Sequence, residues 1–187
     1  MDDRWFRLGD HGRYPPSMKI LSEIEIDAWL VNENVSPQPY SLGTSAKHYR
    51  QFASPKRYSH VEAFSRIGLS QIQDAKSILI HITDWAQYTE AQMLTIAAIR
   101  HHHNVDKPLI ESPGHLIELQ SIETAVSIFS LSIAFGWSSY LYFPNDSFTI
   151  LNWEGDLIDA WTHSKETITN LDKLISDFEL QTSPNGG

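Results

Sequence analysis

Ser77-Ile78-Leu79-Ile80-His81-Ile82-Thr83 is a short, isoleucine-rich run bounded by polar residues. That pattern predicts a central strand buried on both faces. Reading outward toward the C-terminus, Thr89 and Gln92 have capping-box spacing and open a helix through Met93, Leu94, Ala97 and Ala98 to His101-His102-His103. A loop with Pro108 and Pro113 follows. Ser121 then caps a helix from Ile122 to Phe135 whose apolar residues lie almost all round it, so it belongs inside. Tyr140–Phe143 and Phe148–Trp153 flank Pro144-Asn145-Asp146-Ser147, the pattern of a hairpin with a four-residue turn. Ile168, Leu171, Ile175 and Phe178 recur at helical spacing and give a last amphipathic helix.

Toward the N-terminus, Ser59 and Glu62 again have capping-box spacing and open a helix through Val61, Phe64 and Ile67, with Gly68 as its expected stop. Residues 33–46 carry Pro37, Pro39 and Gly43 and read as a loop. Ser22 with Glu25 predicts a short helix, although Ile24, Ile26, Ala28 and Leu30 also alternate as a strand would. This order does not alternate strictly between strand and helix. The expectation is one α/β or α+β domain over residues 18–180, with a mixed sheet packed by helices rather than a doubly wound parallel sheet. Residues 1–17, punctuated by Gly9, Gly12, Pro15 and Pro16, read as a flexible arm, and residues 181–187 as a disordered tail.

Composition excludes several classes. The chain has 187 residues, 41% of them hydrophobic and 20% charged, which is ordinary for a globular protein and unlike a collagenous or disordered one. It has no cysteine, so a disulfide framework, a thiol nucleophile and cysteine-ligated metal are ruled out, and a reducing, cytoplasmic setting is expected. The start shows no apolar run of the signal-peptide kind. Ala125–Phe143 is 19 residues without a charge. Its serines and Gly136 favour a buried helix running into a buried strand over a membrane span, so no membrane partner is expected.

The net charge of −9 is one-sided. Residues 1–103 balance 11 acids with 11 bases, whereas residues 104–187 hold 12 acids against Lys107, Lys165 and Lys173. An acidic half repels a phosphate backbone, so nucleic acid is not an expected partner, whereas a basic protein is. The plainer alternative is that the acids only confer solubility.

Candidate sites follow from residue type and spacing. Asn152–Trp161 places Glu154, Asp156 and Asp159 between Trp153 and Trp161. Aromatic anchors among acids suit an interface for a basic protein, and the alternative is a core tryptophan pair with solvated acids between. A second constellation joins Asp84 and Trp85, at the end of the central strand, to Glu111 and His115 in a turn-rich loop. Two carboxylates with an imidazole could perform acid–base chemistry or hold a metal. Otherwise Asp84 caps a turn and Trp85 packs. The His101–His103 triplet lacks the i, i+4 spacing that puts two imidazoles on one helix face, and histidines suit a helix C-terminus in any case. Lys47–Tyr58 interleaves bases with aromatics, as single-strand binders do, but more often such residues line a core rim. No nucleophile elbow and no glycine-rich phosphate loop occurs, so no cofactor is expected.

Three motifs carry a resemblance: ILIHITDW (Ile78–Trp85), ESPGHL (Glu111–Leu116) and FGWSSYLYF (Phe135–Phe143). Their succession resembles an uncharacterised family of cytosolic bacterial proteins over about residues 59–161. After Trp85 this chain has Ala-Gln-Tyr where the family pattern has Gly-aromatic-Pro. The resemblance implies a bacterial, single-domain α/β protein and brings no activity. The functional expectation is therefore a non-catalytic interaction protein of the immunity or inhibitor type. It would occlude a basic partner with Trp153, Glu154, Asp156, Asp159 and Trp161. The alternative is a small hydrolase or metal-binding domain using Asp84, Glu111 and His115.

Overall fold

A computed structural model describes residues 18–37, 46–70, 75–85 and 88–183. The expected N-terminal arm and the last four residues of the expected tail lie outside the described residues. In chain order the elements are β1 (Met18–Leu21), α1 (Glu23–Asn32), β2 (His48–Ala53), α2 (Tyr58–Ser70), β3 (Ser77–Asp84), α3 (Glu90–His102), β4 (Gly114–Glu118), α4 (Ile122–Ala134), β5 (Ser138–Tyr142), β6 (Phe148–Trp153), β7 (Leu157–Thr162) and α5 (Lys165–Asp177). The seven strands form one sheet in the order β1-β4-β3-β5-β6-β7-β2. Of the two expected classes the α+β one holds, and the sheet expected to be mixed is antiparallel at each of its pairings.

The isoleucine run occupies a central strand, as expected. Ile78, Ile80 and Ile82 point to one face and are fully buried, together with Ile117, Leu141, Ile150 and Ile158 of neighbouring strands. Helices α2, α4 and α5 cover that face with Val61, Phe64, Ile128, Phe129, Leu171 and Leu174. Each such side chain contributes about 1.5–3 kcal/mol on burial, so this layer holds the domain. The opposite face carries Leu79, Tyr140, Tyr142, Leu151 and Trp161, and α1 lies over it with Ile26 and Leu30. Two buried anchors hold α1, and Gly114 accommodates it. A Cβ at Gly114 would stand 2.8 Å from Ile26 Cδ1, so α1 packs directly on the β4 backbone.

Local signals explain the starts of α1, α3 and α5, whereas Ser121, expected to cap α4, stands at its N-cap without a side-chain capping bond. Thr89 and Gln92 form the capping box of α3: the Gln92 amide oxygen takes the Thr89 N–H at 2.8 Å, and Thr89 Oγ1 takes the Gln92 N–H at 3.3 Å. Ser22 opens α1, whose Glu25 carboxylate accepts from the Ser22 N–H at 2.8 Å. That bond holds the Glu25 carboxyl below its ordinary range. The helical reading of residues 22–30 therefore holds and the alternating one does not. The Ser59–Glu62 box does not form, because α2 already starts at Tyr58 and Glu62 instead pairs with Arg66 one turn on. Nor does Gly68 end α2, which continues to Ser70, with Gly68 facing Leu174 of α5.

The uncharged stretch resolves into most of α4, a turn at Phe135–Trp137 and β5, whose five residues are all buried. No helix among the described residues is long and apolar enough to cross a membrane. The start of the expected tail is ordered. The Ala53 N–H donates to Gln181 O at 2.8 Å and the Ser183 N–H to Gln51 O at 2.9 Å, so residues 181–183 run along the outer edge of β2. This satisfies backbone groups that an edge strand otherwise presents to other chains.

Candidate functional site

The acidic segment read as one contact surface is a second hairpin, β6–β7. Its turn places Glu154 (φ 47°) and Gly155 (φ 71°) in the left-handed region, and the Asp156 N–H closes on Trp153 O at 2.7 Å. Positive φ at both central residues is what a type I′ turn requires, and its twist suits a tight hairpin. The turn is also pressed against the end of α4. A Cβ at Gly155 would lie 2.3 Å from Ile133 O, and the Glu154 N–H donates to Ser138 Oγ at 3.2 Å.

Pairing of Trp153 with Leu157, Leu151 with Asp159 and Thr149 with Trp161 sets these six residues on the α1 face. In register across β2 stand Ala53, Gln51 and Tyr49. Asp159 sits within that row, 4% exposed. Its Oδ1 accepts from Tyr49 Oη at 2.6 Å and from Gln51 Nε2 at 2.9 Å. Its Oδ2 accepts from Trp153 Nε1 at 2.5 Å. Three neutral donors thus satisfy a buried carboxylate, and hydrogen bonds to an ionised acceptor are the stronger kind. Burial, and then the bond to Asp159, pushes the Tyr49 phenol up, so Tyr49 remains a donor. The Tyr49 ring also leans on Trp161, centroids 5.4 Å apart.

This network fixes the Trp153 indole while leaving the side chain 42% exposed beside Leu157, itself 41% exposed. Glu154 and Asp156 are exposed at the tip. Asp156 pairs with Lys56, whose Nζ also donates to Gly155 O at 3.1 Å. Of the five residues expected at a contact, Trp153, Glu154 and Asp156 are therefore outside. Asp159 and Trp161 are buried, Asp159 bonding the Trp153 indole and Trp161 packing on the Tyr49 ring, which corrects their reading as contact residues. Tyr49, Gln51 and Leu157 were missed. The signal that could have found them is the mirrored alternation of HYRQFA and LIDAWT.

The charge asymmetry of the sequence is partly folded away. Arg50 grips Asp172 through two nitrogens at 2.7 and 3.0 Å, and Arg66 reaches Glu123 at 2.5 Å. Bases of the first half thus pair with acids of the second, and the Lys47–Tyr58 stretch spends Arg50 and Lys56 inside the domain. Glu154, Glu166, Asp177 and Glu179 are exposed and form no ion pair among the described residues.

The second constellation is not brought together as a unit. His115 is fully buried on β4 with both ring nitrogens engaged. Arg100 Nε lies 3.1 Å from its Nε2, and its Nδ1 lies 3.3 Å from Ile80 O. A guanidinium only donates, so His115 Nε2 accepts and Nδ1 carries the proton. Burial first, and then the Arg100 charge, pulls the imidazole down to about 3, so it is neutral at physiological pH. Asp84 and Glu111 are exposed, and Trp85 packs half-buried against the main core. No group of three metal-ligating side chains occurs among the described residues. The histidine triplet fans out: His101 Nδ1 lies 3.0 Å from Asp106 Oδ1, and His103 Nε2 lies 3.1 Å from Thr124 Oγ1.

Comparison with protein-family models, curated proteins and solved structures finds no match to this chain.

Proposed function

We propose that the chain is a protein-binding module that occludes a basic partner, in the manner of an immunity or inhibitor protein. A bacterial, cytoplasmic setting is part of this reading. The observation that carries it is Trp153, an aromatic side chain held rigid by a buried carboxylate yet 42% exposed beside Leu157. Immobilising an anchor before binding reduces the entropy lost on association, and tryptophan is the residue type most enriched at interface hot spots. Exposed Glu154 next to this pair supplies orientation and steering toward positive charge. The neutral, enclosed His115 offers no general base, which weighs against the hydrolase alternative.

The contact is confined to the hairpin tip, so the informative charge reversal is Glu154→Lys with Asp156→Lys. Asp159 is excluded because a lysine there would be buried among donors. Affinity capture of the tagged chain from its host lysate at low salt is expected to retain one stoichiometric basic protein, released by high salt. The doubly reversed variant, with unchanged circular dichroism, is expected to lose that protein. Equal retention by both forms would contradict the proposal.

A further inference from the structure

Helix α3 buries only Ile96 and Arg100 fully and leaves Leu94 69% exposed. Between this helix and residues 105–109 runs a groove of about 580 Å³, walled by Leu94, Ala97, Val105, Pro108, Leu109 and Arg100. Volumes of this order take small organic molecules. Its distinguishing feature is the charge in its wall. Arg100 is 2% exposed, and three of its N–H groups go to His115 Nε2, Lys107 O at 2.9 Å and Ser112 O at 2.6 Å. None of these acceptors is anionic, and no carboxylate pairs with Arg100 among the described residues.

A guanidinium has five donors and stays protonated at neutral pH, so a buried positive charge stands here without a counter-charge. In a poorly hydrated wall such a charge is weakly screened and extends its field into the groove. Lys107 adds a second cation at the rim; Asp106 is the one acid among the described lining residues, 3.0 Å from His101, and Glu25 of α1 lies within electrostatic reach of Lys107 from outside the groove. Apolar walls with a positive end suit one ligand chemistry. We propose that the α3 groove binds a single-chain apolar monocarboxylate, its head toward Arg100 and Lys107 and its tail along Leu94, Ala97 and Val105. This site shares no residue with the hairpin tip, so either proposal can fail alone.

The test is a calorimetric titration of the full chain with decanoate, decanol and decylamine. Decanoate is expected to saturate at one per chain and to bind about tenfold more tightly than decanol, the gain of a charge-assisted contact. Decylamine should bind weakest of the three. Ala97→Trp, one turn before Arg100 on the same lining face, fills the groove and should abolish binding. Lys107→Met, which leaves the groove walls in place, should weaken decanoate several-fold and spare decanol. Equal affinity for decanoate and decanol, no saturable binding, or unchanged binding by Ala97→Trp would overturn the assignment. So would retention on anionic phospholipid vesicles that free decanoate does not compete away.

Discussion

Lowering the pH from about 6.5 to 4.5 is expected to cost the chain on the order of 1 kcal/mol of stability per pH unit, through His115. The sign follows from burial. In the unfolded chain the imidazole takes a proton near its ordinary 6.5, whereas in the fold that proton is refused until about 3. Across this window the unfolded state binds more protons, so stability rises with pH and falls on acidification. The stabilisation is complete above 6.5 and is lost as pH drops toward the folded value. A half-buried His103, held down by burial and then by His102, adds a smaller effect of the same sign. Glu25 and Glu123, held below their ordinary range by Ser22 and Arg66, add an effect of the same sign only at the acid end of this window. Urea denaturation of wild type and His115→Gln at half-unit steps checks it. The glutamine can still donate to Ile80 O and accept from Arg100, so the variant should fold, be less stable at pH 7, and show a flatter slope between 6.5 and 4.5. Parallel slopes would remove His115 from the account.

Gly155→Ala is expected to destabilise the domain by about 3 kcal/mol or more, among the largest effects of a single methyl. Two costs combine. A non-glycine residue at φ 71° is strained, and the added carbon meets Ile133 O at 2.3 Å, a backbone atom that moves only if α4 moves. Gly68→Ala is the matched control. There the new carbon makes an ordinary 3.5 Å contact with Leu174 Cδ2 inside a helix, and a gain of about 0.5–1 kcal/mol is expected. Thermal denaturation of both variants decides it. A Gly155→Ala loss no larger than that of an average surface change would mean the tip is not clamped to α4.

The strands that were legible in the sequence share one physical property. β3, β5 and β6 are buried on both faces, so their apolar runs stand out without any knowledge of their neighbours. β1 and β4 are four and five residues long, too short for a period to show. β2 and β7 each carry polar residues where apolar ones would announce a strand: Arg50 and Gln51 in one, Asp159 in the other. Those residues bond to each other's strand or to α5, and such satisfaction is a property of the pair and not of either segment. The same logic explains the sites. Trp153, Glu154 and Asp156 were readable as an exposed acidic-aromatic tip. That Asp159 faces inward depended on a turn at Glu154-Gly155, which lacks the usual Asn-Gly or Asp-Gly signature. His115 looked available because its partner, Arg100, lies in a helix whose packing no local spacing revealed.

The measurement that bears most directly on the central claim is the affinity of the captured partner for Trp153→Ala, set beside Leu94→Glu on the distant α3. Loss of a central aromatic anchor is expected to cost about 2 kcal/mol or more, roughly thirtyfold in Kd, while the α3 change leaves the affinity as it was. Wild-type affinity in Trp153→Ala, or a loss confined to Leu94→Glu, would place the contact elsewhere and contradict the hairpin tip as the binding surface.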